Sequence, residues 1–62
     1  MNKRMQVLHY GDSVRIPESN ELGYVARVIA PTSTKRATYE VQTDEGIVVR
    51  EALDLLYVGF SL

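Results

Sequence analysis

Apolar and polar residues alternate with period two along most of this chain. Val14 and Ile16 alternate with Ser13 and Arg15. Tyr24, Ala26, Val28 and Ala30 alternate with Val25, Arg27 and Ile29, and Ala37, Tyr39 and Val41 with Thr38, Glu40 and Gln42. Ile47 and Val49 follow Gly46, and Leu55 to Val58 make a last short run. Successive side chains of a strand point to opposite faces, so this is the spacing of half-buried β-strands. No long stretch carries helical spacing free of Gly or Pro. Pro17 and Pro31 each close a run, as expected of a residue that donates nothing to a ladder. Glu51-Ala52-Leu53-Asp54 has the form of one helical turn. These signals predict an all-β chain, a single small five-stranded SH3-like β-barrel with a long first loop (Pro17 to Leu22) and a helical turn before the last strand.

The turns predict which way the side chains point. If Ala30 lies opposite Ala37 across the loop from Pro31 to Arg36, then Val28 faces Tyr39, Arg27 faces Glu40 and Ala26 faces Val41. If Asp44-Glu45-Gly46 is a three-residue hairpin loop with Gly46 at a bulge, then Thr43 faces Ile47, Val41 faces Val49 and Glu40 faces Arg50. Both turns place Val41 inward and Glu40 outward. A slip of one residue would invert every side chain of a strand, so the register carries the whole face assignment. On this reading Tyr24, Tyr39, Ile47 and Val49 face inward. The outer face then carries the row Arg27–Glu40–Arg50 beside the row Val25–Gln42–Val48.

Length narrows the picture. A chain of 62 residues is one domain near the lower limit for a self-sufficient core. Residues 1–6 are expected as a flexible arm, 7–58 as the barrel and 59–62 as a tail. Disulfides and thiolate zinc sites are excluded because there is no cysteine, and one histidine, His9, makes no histidine-rich metal site. Neither a cofactor nor a metal is expected. Extra stability is expected from self-association or from docking on a larger protein. The formal charge of −1 provides no overall basic balance to hold a nucleic acid. No apolar run approaches the length of a membrane span, and Met1-Asn2-Lys3-Arg4-Met5 lacks the apolar block of a signal peptide, so a soluble, cytoplasmic protein is expected.

The motif "GDSVRI" followed by "ELGYVARVI" resembles the opening of KOW- and Tudor-like barrels, where Gly-Asp starts the first strand and a second glycine precedes the next. "VRI", "PES", "GYVA" and "ALD" are similar to stretches of the small accessory barrel protein of photosystem I and its relatives. "GDSVR", "YEV" and "GIVVREAL" resemble the type II dihydrofolate reductases over most of residues 11 to 53. The first likeness implies a nucleic-acid-associated domain, with Arg15, Arg27, Lys35, Arg36 and Arg50 as the basic residues available for phosphates. The last implies a tetrameric reductase whose catalysis lies in a Val-Gln-Ile-Tyr stretch. The matching positions here are Ile47-Val48-Val49-Arg50, without the glutamine or the tyrosine, and Ile16 and Pro17 stand where that family has basic residues.

No constellation of nucleophile, base and acid is present, so no catalytic residue is expected. Gly11-Asp12 reads as a turn whose carboxylate bonds nearby backbone rather than as a ligand or general base. His9 has no Ser or Cys nucleophile in a recognisable arrangement. Tyr10 and Tyr57 flank strand ends, where aromatic rings anchor partners at small entropic cost. Val25, Ile29 and Val48 are surplus apolar residues on the expected outer face, with Leu56, Val58, Phe60 and Leu62 near the end of the chain. Val25, Ile29, Val48, Tyr10, Tyr57 and Phe60 are therefore the candidate partner-binding residues, unless Met5 to Leu8 folds over the apolar surface. The expected function is a non-catalytic binding or accessory module for protein contacts or self-association.

Overall fold

The computed structural model describes residues 7–60, with side chains over 7–59. The expectations of an arm at 1–6 and of Ser61 and Leu62 in a tail lie outside the described residues. Five strands follow one another: β1 (Asp12–Ile16), β2 (Glu21–Ile29), β3 (Thr38–Thr43), β4 (Gly46–Glu51) and β5 (Leu56–Phe60), with a 3-10 turn at Ala52–Asp54 before the last. All pairings are antiparallel, in the order β4-β3-β2-β1-β5. The last strand thus returns beside the first. No ladder joins β4 to β5 among the described residues, so the arrangement is a small, barrel-like sheet that hydrogen bonds do not close.

Both prolines stop strands as expected: β1 ends at Ile16 and β2 at Ile29. The first connection is tighter than the expected long loop. The Asn20 amide donates to the Ile16 carbonyl at 2.6 Å, Asn20 takes a φ of 64°, and β2 begins at Glu21. β5 runs to Phe60, so Gly59 and Phe60 belong to the sheet rather than to a tail.

The core consists of Leu8, Val14, Ile16, Val25, Tyr39, Val41, Ala52 and Leu55, with Ala37 and Val48 packed against it. Leu8 is buried within this cluster while Val7 is exposed; Met5 and Gln6, the start of the segment expected over the apolar surface, lie outside the described residues. β1, β2, β3 and β4 each contribute to this cluster, and the 3-10 turn closes it with Ala52 and the following Leu55.

Two face assignments are reversed by the register. The pairs Ile29–Thr38, Val28–Tyr39 and Arg27–Glu40 form as expected, but a bulge between Val25 and Arg27 then sets Val25, not Ala26, opposite Val41. An extra residue in one strand shifts the parity of everything beyond it. Val25 is consequently buried completely, and Tyr24 faces out with 43% exposure. At the next hairpin the loop has two residues, Asp44 and Glu45, because Thr43 pairs with Gly46 rather than Ile47. The buried Thr43 hydroxyl determines this: it accepts from the Glu45 amide at 3.1 Å and donates to the Gly46 carbonyl at 2.9 Å. Val41 then pairs with Val48, which turns inward, while Ile47 and Val49 turn outward.

Candidate functional site

Gly11-Asp12 is a strand start. Asp12 is 5% exposed, and its carboxylate accepts the His9 amide at 2.8 Å while its own amide donates to the His9 carbonyl at 3.0 Å. Gly11, at a φ of 90°, turns the chain between them, and its amide donates to the Val25 carbonyl at 2.9 Å. The His9 imidazole points largely to solvent, with Nδ1 3.9 Å from the carboxylate. Asp12→Ala should lower stability by about 0.5–1.5 kcal/mol through the part-buried His9 amide left without its acceptor. A urea titration checks this, and an unchanged midpoint would leave the carboxylate without a structural role.

The outer face is built from rows of directly opposed residues. Ser13, Tyr24, Gln42 and Ile47 make one row across four strands. Arg27, Glu40 and Val49 make the next, and Leu56, Arg15 and Leu22 lie on the other side of the first. Leu22, Ile47, Val49 and Leu56 are each about half exposed or more, as Tyr24 nearly is. The Gln42 amide group is held by its donation to the Thr43 carbonyl at 3.0 Å. This face therefore presents apolar side chains on β2 and β4 with a polar stripe from β3 between them.

Of the candidate partner-binding residues, Val25 is in the core and offers nothing to a partner. Val48 packs against the core and Ile29 is half-buried. Tyr10 and Tyr57 are exposed at 70% and 51%. Phe60 pairs with Asp12 at the end of β5. The residues that take over the outer face, Tyr24, Ile47 and Val49, were assigned inward by regular alternation. Period two alone did not separate the two faces, since both are apolar in β2 and β4.

The basic residues are dispersed among acceptors. Arg15 donates to Asn20 Oδ1 at 2.8 Å, Arg27 lies 3.6 Å from Glu40, and Arg36 lies 3.8 Å from Glu51. Arg50 stands opposite Tyr39, not Glu40, and donates instead to Glu18 Oε1 at 3.0 Å. Lys35 sits in the loop between β2 and β3, whose turn is tied by the Thr32 hydroxyl accepting from the amides of Thr34 and Lys35. Exposed pairs of this kind add only about 0–1 kcal/mol each. An open cleft of about 440 Å³ lies between the first turn and the 3-10 turn, lined by Pro17, Glu18, Arg50, Leu53 and Asp54. Its one cation is already joined to Glu18.

Among the described residues no three His, Asp or Glu side chains are grouped to hold a metal, and no helix is long and apolar enough to cross a membrane. Ile47-Val48-Val49-Arg50 forms most of edge strand β4, with Val48 committed to the core. No family model, curated protein or solved structure matches this chain.

Proposed function

We propose that this chain is a non-catalytic binding module that docks on a protein partner through the outer face of β2 and β4. The observation that carries this reading is the grouping of Leu22, Tyr24, Ile47 and Val49 on one face, each 43–59% exposed. Single exposed apolar residues are ordinary, whereas several on adjacent rows make a surface that gains by excluding water. Tyr24 is the aromatic anchor of the set, and Gln42 and Glu40 supply polar groups that orient a partner. The KOW- or Tudor-like alternative is supported less well, because Arg15, Arg27, Arg36 and Arg50 already hold acceptors of their own.

The test compares immobilised wild type with the double variant Tyr24→Asp/Ile47→Asp in retaining proteins from an extract of the source cells. Both substituted positions are exposed, so the double variant should melt like the wild type. Retention of a defined protein should fall about tenfold or more. Equal retention by both chains sinks the proposal. Binding that disappears with nuclease treatment and declines steeply with salt supports the nucleic-acid reading instead.

A further inference from the structure

We propose that the partner on the outer face presents lysine or arginine side chains beside its apolar contacts, and that these cations enter the cleft of Glu21, Asp44 and Glu45 at the end of that face. This deepens the docking reading above, on which it rests, by giving the partner its charge.

The apolar rows alone choose no occupant, but the charge at their border does. The eight acidic side chains of the chain all lie among the described residues. Glu18, Glu40 and Glu51 each have an arginine 3.0–3.8 Å away, and the Asp12 carboxylate is buried on the His9 amide. That leaves four. Three of them, Glu21, Asp44 and Glu45, line one open cleft of about 380 Å³ together with Asn20 and Leu22. Among the described residues, no arginine or lysine pairs with any of the three.

The register sets this cleft against the docking face. Gly23 pairs with Thr43, so one step further out Asp44 adjoins Leu22, at the end of the row that runs through Leu56, Arg15 and Leu22. Leu22, 59% exposed, is therefore shared by face and cleft. Arg15, the cation of that row, donates to Asn20 Oδ1 at 2.8 Å. Three carboxylates against one guanidinium leave the corner negative.

A cationic partner relieves the repulsion among these carboxylates while its apolar side chains cover Tyr24 and Ile47. The phosphates of a nucleic acid would be repelled there. A second copy of this chain is also a poor occupant. Its Arg15, Arg27, Arg36 and Arg50 already hold acceptors, which leaves Lys35 as the one uncommitted side-chain cation among the described residues. A different protein, with lysines or arginines of its own to offer, fits both halves of the surface.

The probes are three short labelled peptides, of alternating leucine and lysine, leucine and glutamate, and serine and lysine. Binding is followed by fluorescence anisotropy at physiological salt, where charges more than about 8 Å apart are largely screened. Wild type should bind the leucine–lysine peptide about tenfold or more tighter than either of the others. Asp44→Asn/Glu45→Gln should weaken that binding about threefold to tenfold, and the difference should shrink as salt is added. Glu18→Gln/Asp54→Asn removes as many charges from the other cleft and should bind like wild type. All four positions are exposed, so circular dichroism should not change.

Equal affinity for the two leucine peptides, no binding of the leucine–lysine peptide, or equal losses in the two charge variants would each overturn the proposal. Tyr24→Ser/Ile47→Ser separates that failure from failure of the face. If both leucine peptides bind alike and both are weakened by this variant, the face stands and its charge preference is gone. Leucine–lysine binding indifferent to the variant would sink the face, and the proposal with it. A solution mass above the 7.0 kDa of one chain that returns to it in Tyr24→Ser/Ile47→Ser would give the face to a second copy, which overturns the proposal too.

Discussion

Val25→Asp is expected to unfold the protein. The side chain is fully buried and stands opposite Val41, which is also fully buried. A carboxylate placed there has no donor designed for it and loses its hydration, at a cost of several kcal/mol. The whole stability of a natural domain is about 5–15 kcal/mol, and a chain this small lies toward the low end. One substitution therefore removes most of it. Circular dichroism and a thermal melt read the result directly: no cooperative transition for Val25→Asp, and a midpoint within a few degrees of wild type for Val28→Asp, whose side chain is 46% exposed. A Val25→Asp chain that melts like the wild type would mean that the bulge in β2 is misplaced, because regular alternation puts Val25 outside.

The second large effect belongs to Gly23. A methyl group there would run into the Gln42 carbonyl and would lie 2.8 Å from Val41 Cγ1 and 3.1 Å from Thr43 Cγ2. The carbonyl is part of the β3 backbone and has no rotamer by which to move aside. β2 and β3 must separate locally, at the middle of the sheet, so Gly23→Ala is expected to lose about 1–3 kcal/mol or more, the range for overfilling a packed site. Denaturant unfolding measures it. A midpoint equal to wild type would show that the two strands do not approach as closely as the register requires. Gly23 pairs with both Val14 and Thr43, which explains why a glycine stands in the middle of a run otherwise rich in strand formers.

The two effects share a cause, the inward face of β2. Glycine at 23 and valine at 25 fit the space that Val14, Val41 and Thr43 leave, whereas Tyr24 fits only outside it. That choice also creates the proposed docking face, because turning Val25 inward turns Tyr24 outward into the row with Gln42 and Ile47. Packing and function are thus coupled through one bulged residue, Ala26.

Much of the fold was legible in the chain itself. Alternation located the first four strands and a short apolar run the fifth, proline marked the ends of β1 and β2, and the four residues before Leu55 announced the 3-10 turn. The hairpin between β2 and β3 was legible to the residue at its loop end, where Arg27 meets Glu40 and Val28 meets Tyr39. The candidate site was legible only in kind: surplus apolar residues pointed to a contact surface, but Val25 and Val48 were named where Tyr24, Ile47 and Val49 are found.

Local sequence by itself determined what depends on neighbours along the chain: extended backbone, strand ends, a turn at Gly11-Asp12 and the nearer half of one hairpin. Only the tertiary structure decided which side of β2 and β4 faces the core. In both strands the odd and even positions are apolar, so period two offers two equivalent answers. The bulge at Ala26, the two-residue turn held by the Thr43 hydroxyl and the close passage of β3 over Gly23 selected between them. Each of these is a contact between residues distant in sequence or a departure from regular spacing, and neither leaves a periodic trace in the chain.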